Sequence, residues 1–227
     1  MSTLYIVATP IGNLEDMTLR AIETLKTVDL ILCEDTRVTK KLLARYDIHT
    51  PTLSYHTHSG TAKSEKIISL LRERKNLALV SDAGTPSISD PGSFLVSQVR
   101  EAFGHEVAII PIPGPSALAA ALSVSGFSAD SFLFLGFLPH KKGRQTLFKE
   151  IAASERTSVF YESPHRILKA LEALEAVLLP ERPVVVAREI SKMFEETVSG
   201  TVSEVCQYFQ KNPDKIRGEF VVIVSPK

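Results

Sequence analysis

Residues Ser81 to Gly92 read SDAGTPSISDPG and follow directly on the apolar run LALV at Leu77 to Val80. A short apolar run that breaks into Gly, Pro, Ser and Asp is read as a buried strand delivering the chain into a turn-rich loop. Gly allows positive φ and close backbone approach to a ligand, while Pro fixes φ and removes an N–H donor, so this loop is shaped rather than slack. The same grammar recurs outward in both directions. TLYIVA (3–8) runs into ATPIGN, DLILC (29–33) into EDTR, and VAIIPI (107–112) into the proline-rich PIPGPSA, with helical patterns TLRAIETLK, TRVTKKLLARY and SEKIISLLRERK in between. Strands alternating with helices predict an α/β fold with a mostly parallel sheet.

Around the third of these helices, Ile67, Ile68, Leu70 and Leu71 form one apolar stripe, so Arg72, Arg74 and Lys75 read as a solvated helix end. Beyond PIPGPSA comes a helical run, LAAALSVS, closed by Gly126. The strands SFLFLGF, TSVFYE, RPVVVARE, EETVSGT and GEFVVIVSP follow, with helices expected over 145–153, 164–177 and 202–210. The late strands follow one another closely, which predicts a mixed sheet with antiparallel pairs. The interruption at the proline-rich stretch places a domain boundary there, giving an N-terminal α/β domain over 1–112 and a C-terminal α/β domain over 113–227.

Composition sets limits on function. With 227 residues, 44% of them hydrophobic, the chain can bury a sizeable core, which excludes disorder and small disulfide scaffolds. Lys plus Arg equals Asp plus Glu at 26 each, and the first 112 residues carry 12 cations against 13 acids, so neither half is a general polyanion binder. Any polyanion must be gripped by a few placed cations. No segment reaches the ~18 apolar residues of a membrane span and no basic flank precedes the N-terminal apolar run, so no membrane partner and a cytoplasmic location are expected. Cys33 and Cys206 lack CxxC or zinc spacing and read as packed, reduced thiols. His56 and His58 have H-x-H spacing but no evident third ligand, so no metal site is expected.

Ligands of open α/β sheets bind outside the carboxyl ends of the strands, where SDAGTPSISDPG, ATPIGN and PIPGPSA all sit. A phosphate cradle is the first candidate. However, GxxxxGK[ST] and GxGxxG are absent, no Lys or Arg occurs from Ser81 to Val99, and Asp82 and Asp90 would repel an anion. A neutral or cationic ligand fits better. A nucleoside with a sulfonium centre is one such ligand, although this compatibility does not single it out.

SDAGTPSISDPG, together with ATPIGNLEDMTLRA, CEDTR, PIPGPSA, FYESPHRI and AREISKMFEET in this order, closely resembles the small-subunit ribosomal RNA 2′-O-methyltransferase family, a branch of the tetrapyrrole-methylase superfamily. The resemblance runs from about Leu4 to the final strand. It implies a two-domain α/β methyltransferase, with a cleft between the domains for S-adenosylmethionine, acting as a homodimer on a cytidine ribose in the decoding region of 16S rRNA or of the small ribosomal subunit. Carried over by position, Pro10, Asp82, Ala83, Gly84, Thr85 and Ile88 would lie against the cofactor, and Ser116, Ala117 and Tyr161 would line its far side. Tyr161 also reads as a core aromatic at a strand end.

Methyl transfer to a ribose needs the 2′-oxygen and the activated methyl brought into line, and a carboxylate can take the hydroxyl proton. Asp35 and Glu189 are the catalytic candidates, with Glu34 beside them, because each follows a strand. Glu34, Asp35 and Arg37 also suit a cap and ion pair for the helix that begins at Thr36. Lys141, Lys142 and Arg144 in HKKGR, with Arg37, Lys40 and Arg166, are the candidate RNA contacts, and HKKGR reads equally as a solubilising turn. Two departures bear on RNA binding. Relatives often continue past the strand corresponding to EFVVIVSPK, so contacts made by such a segment are expected to be missing here. Many also carry a basic residue where Ser199 stands. Two other readings stay open, a tetrapyrrole or other small-molecule methyltransferase of the same superfamily and a non-catalytic RNA-binding module.

Overall fold

A computed structural model of the chain describes residues 1–56, 60–90 and 92–227. It divides into two compact units, Met1–Ser116 and Ala117–Lys227.

In the first unit β1 (Thr3–Val7), α1 (Leu19–Thr27), β2 (Leu30–Cys33), α2 (Thr36–Arg45), β3 (Thr52–Ser54), α3 (Gly60–Arg72), β4 (Leu77–Leu79), α4 (Gly92–Phe103) and β5 (Ala108–Ile112) follow one another. The sheet order is β3-β2-β4-β1-β5, and every pairing is parallel. Side chains alternate between two covered faces, as a parallel sheet requires. Val7, Ile31, Ala78 and Val80 pack with Ala21 and Leu25 of α1 and Leu42 and Leu43 of α2. Leu4, Leu32, Leu77 and Leu79 pack on the other face with Ile67 and Leu71 of α3 and Leu95 and Val99 of α4. Thr18 caps α1 by accepting a hydrogen bond from Ala21 N.

Two elements fall outside the sequence reading, β3 and α4. β3 is three residues long and, among the described residues, pairs only with β2, so it carries almost no periodic signal. The apolar stripe of α4, Leu95 and Val99, begins directly behind a loop whose Gly and Pro punctuation masks it.

The second unit opens with α5 (Ala117–Ser125), closed by Gly126 at φ +73°. There follow β6 (Phe132–Phe137), α6 (Arg144–Ala153), β7 (Thr157–Glu162), α7 (Ile167–Glu175), β8 (Pro183–Arg188), β9 (Glu196–Thr201), α8 (Val202–Lys211) and β10 (Phe220–Val224). The order is β6-β7-β10-β8-β9, with β6–β7 parallel and the other pairs antiparallel, which is the expected mixed sheet. One face packs Phe160, Val186 and Val222 against α6, α7 and α8 through Phe148, Leu171 and Phe209. The opposite face packs Val159, Val185 and Val221 against Ala121 and Leu122 of α5. Cys33 and Cys206 are buried free thiols. Among the described residues no helix is long and apolar enough to cross a membrane.

Candidate functional site

The first unit brings the three shaped loops together because β4, β1 and β5 are neighbours with the same direction, so their carboxyl ends open on one edge. Main-chain bonds join the loops. Thr9 N donates to Gly84 O at 2.9 Å and Gly84 N donates to Thr9 O at 3.0 Å, a two-residue antiparallel bridge outside the sheet. The buried Thr9 hydroxyl donates to Ser81 O at 3.1 Å, and the Thr85 hydroxyl donates to Pro115 O at 3.1 Å, tying the long loop to the one after β5. The loops after β1 and β5 also touch, since a Cβ on Gly114 would stand 3.0 Å from Ala8 Cβ.

Gly84 has φ +82°, and a Cβ there would meet only Ile11 Cγ2 at 3.4 Å and Pro115 O at 3.8 Å. Backbone conformation, rather than lack of space, is what requires glycine. Ser87 at φ +73° and Ser89 at φ +63° are held in the same left-handed region without that excuse. The Asp90 carboxylate holds this turn, accepting from Ser87 N at 2.8 Å and from Gly92 N at 2.7 Å. Asp82 and Ala83 are exposed, Ile88 is 45% exposed, Thr85 and Ser116 are half-buried, and Pro10 is buried. The structure thus gathers Pro10, Asp82 to Thr85, Ile88 and Ser116 into one set of linked loops.

The electrostatics of this edge are acidic. Glu34, just past β2, is pushed up first by burial and then by the negative charges of Asp82 and Asp90. Asp35, its neighbour, goes the other way. Its carboxylate caps α2 by accepting from Arg37 N at 2.8 Å and pairs with Arg37 Nη2 at 2.6 Å, and hydrogen bonding from Arg37 lowers its pKa to about 2. Asp35 N donates in turn to Asp82 Oδ1 at 3.1 Å, joining the end of β2 to the long loop. A sulfonium cation with neutral hydroxyl and base groups suits this donor set, rich in backbone polar atoms and carboxylates and without a cation from Ser81 to Val99.

The second unit holds the remaining candidates. Ala117 starts α5, and Tyr161 lies half-buried near the end of β7, edge-on to Phe134 at 5.1 Å and tilted against Phe137 at 5.3 Å. Burial pushes its phenol up, against a main-chain hydrogen bond at Leu118. Glu189, at φ +50°, accepts from Lys192 Nζ at 2.9 Å and Glu219 N at 3.0 Å. Burial opposes its ionisation, but these partners outweigh burial and hold its carboxyl below the usual range.

Arg144 and Arg166, expected as RNA contacts, are engaged inside the second unit. They clamp the fully buried Glu162, with Arg144 Nη2 2.8 Å and Arg166 Nε 2.7 Å from its two oxygens, and are only 12% and 17% exposed themselves. Arg144 also donates to Pro139 O and Arg166 to Leu138 O. A buried carboxylate needs neutralising partners, and that need takes both arginines. Lys141 and Lys142 are exposed on the turn before α6, and Arg37 and Lys40 are exposed on α2. His58 lies outside the described residues, and among those described no group of His, Cys, Asp and Glu could hold a metal ion. Thr9 and Ser81 escaped the sequence reading, and their only sequence signal was their place at the mouths of the shaped loops.

Comparison with known proteins bears on what this edge serves. A family model described as Tetrapyrrole (Corrin/Porphyrin) Methylases matches residues 3–206. The chain is 49% identical over 226 residues to the ribosomal RNA small subunit methyltransferase I of Synechocystis, covering 99% of this chain and 79% of that one. It is 47% identical over 226 residues to the protein of that name from Bacillus subtilis, covering 99% and 75%. Among solved structures, a cobalt precorrin-4 methyltransferase superposes with a TM-score of 0.68 at 18% identity, over 98% of this chain and 94% of that one. A uroporphyrin-III-C-methyltransferase from Thermus thermophilus superposes at 0.66 with 19% identity, over 99% and 94%, and at these identities the likeness is one of fold.

Proposed function

The chain belongs to the tetrapyrrole (corrin/porphyrin) methylase family, in its ribosomal RNA small subunit methyltransferase I branch, and from that premise we propose that it methylates the RNA of the small ribosomal subunit, at the ribose 2′-oxygen of a cytidine in the 16S decoding region. The observation that carries the reading is the joined carboxyl edge of the first unit, where Thr9, Gly84, Thr85 and Pro115 lock three loops together at an acidic surface whose longest loop holds no Lys or Arg. When bound, S-adenosylmethionine supplies a methyl group on a cationic sulfur. Asp82, Ala83, Gly84, Thr85 and Ile88 are the residues that would hold it, through main-chain atoms and a carboxylate.

The protein's own part is positioning. Loops cross-linked by main-chain hydrogen bonds do not have to be ordered when ligands arrive, so less binding energy is lost to ordering them. Of the carboxylates that follow strands, Asp35 is committed to Arg37 and to the α2 cap, and Glu189 to Lys192. Glu34 is the one displaced upward, and among the described residues it has no paired cation, so it is the proton acceptor to test first.

The experiment is mass mapping of small-subunit RNA from cells lacking the gene, before and after its restoration. Loss and return of one methyl on a cytidine ribose is the expected result. An unchanged methylation map, with transfer to a corrin precursor instead, would overturn it.

A further inference from the structure

α2 differs from every other charged helix of the protein. α1, α3, α4, α6, α7 and α8 each mix acids with bases, whereas α2, TRVTKKLLAR, carries four cations and no acid. The cations are not scattered. Arg37, Lys41 and Arg45 stand at i, i+4 and i+8, one row on the helix surface, with Lys40 beside it, and all four are exposed. Like charges at that spacing repel, which offsets what the helix gains from the Arg37–Asp35 pair and from Arg45 in its last turn, so helix stability alone does not account for the row. The opposite face of α2, with Leu42 and Leu43, is already buried in the core.

We infer that this basic row is a docking track for the phosphates of the RNA substrate. The inference rests on the ribosomal RNA reading above and extends the RNA surface from Arg37 and Lys40 to Lys41 and Arg45. Charge complementarity is the first argument. In a chain of zero formal net charge, the row is a local run of positive charge with only Arg37 paired, to Asp35, among the described residues. Placement is the second. α2 begins at the edge that carries the cofactor loops, with Asp35 N bonded to Asp82 and Asp35 holding Arg37. From there the row runs about 12 Å along the helix axis. A strand presenting its ribose at the loops therefore has phosphate partners leading away from it. A third feature lies at the far end, where Lys40 and Ala44 wall a groove of about 440 Å³ with Pro51 and with His49, whose ring stands 2.9 Å from the Asp47 carboxylate that also lines it. That volume is in the range of ligand clefts, and unpaired bases of single-stranded RNA pack into such concavities against rings.

The test is binding of a short fluorescein-labelled single-stranded RNA as a function of salt, for the full chain and for the triple variant Lys40→Gln, Lys41→Gln, Arg45→Gln. Glutamine keeps the stem length and helix preference, and Arg37 is left in place because it holds the α2 cap. The slope of log affinity against log salt should fall by about 2, at ~0.7 per lost phosphate contact, with the thermal melt and S-adenosylmethionine affinity unchanged. The control Arg20→Gln, Lys26→Gln on the mixed-sign α1 should leave the slope alone. An unchanged slope in the triple variant, with wild-type RNA binding and subunit methylation intact, overturns the track and leaves the methyltransfer reading standing. Capture by anionic lipid vesicles that is lost in the triple variant, with the RNA slope unchanged, overturns it in favour of a membrane surface. Absence of both RNA binding and subunit methylation in the wild type removes the track together with the reading beneath it.

Discussion

Thr9 and Gly84, seventy-five positions apart in the chain, exchange two main-chain hydrogen bonds of 2.9 and 3.0 Å just beyond the carboxyl ends of β1 and β4. The pair acts as an added rung beyond the sheet, and it is possible only because β1 and β4 are adjacent and parallel. It sets the path of the long loop at the point where Gly84 turns it with φ +82°.

Gly84→Ala should therefore destabilise the protein by about 1–2 kcal/mol, the cost of forcing a side chain into the left-handed region, and Gly84→Val by more. Urea denaturation reads that loss. Calorimetry should show weaker S-adenosylmethionine binding in both variants, with the circular dichroism spectrum unchanged. Equal affinities would remove the long loop from the cofactor site.

Glu34 and Asp35 are adjacent carboxyls with opposite pH linkage. Asp35 has its folded pKa depressed from 3.8 to about 2, so its contribution is fully present above the unfolded value and is lost as pH falls toward 2. Glu34 is raised above 4.5 in the fold, so the folded state binds the extra proton and stability falls as pH rises from 4.5 through the folded value. Asp35→Asn should flatten the acid limb of the stability curve. Glu34→Gln should relieve the loss at neutral pH. Carbon-detected NMR titration should find Asp35 titrating well below Glu34, and the reverse order would contradict the placement of Arg37.

Removing Glu162 strands Arg144 and Arg166 in the second unit. Glu162→Ala should cost about 3–5 kcal/mol, the range seen when one partner of a buried ion pair is deleted. Guanidinium unfolding of the variant gives the number, and a loss under 1 kcal/mol would mean that the two arginines find solvent readily.

Burial raises the thiol pKa of both Cys33 and Cys206. Labelling by a thiol reagent should be slow in the native protein and complete after denaturation, without disulfide formation. Fast native labelling of either one would show its packing to be loose.

The apolar runs around Leu77, Leu4 and Ile31, alternating with amphipathic helices, were enough to specify a parallel sheet, because burying both faces of a strand imposes its composition locally. SDAGTPSISDPG likewise announced a shaped loop, since left-handed turns and Asp-held amides are written in Gly, Ser and Asp themselves. What no local pattern contained was partnership. The adjacency of β1 and β4 that brings Thr9 to Gly84, the bond from Asp35 N to Asp82, and the capture of Arg144 and Arg166 by Glu162 depend on which strand ends and helix starts become neighbours, whereas the Asp35–Arg37 cap and pair, two residues apart, were already legible in CEDTR. A charged side chain reads the same in sequence whether it faces water or a buried counter-charge. The tertiary structure, by setting how much water each charge loses and which opposite charge replaces it, gives Arg144 and Arg166 to Glu162 and leaves Lys40, Lys41 and Arg45 exposed on α2.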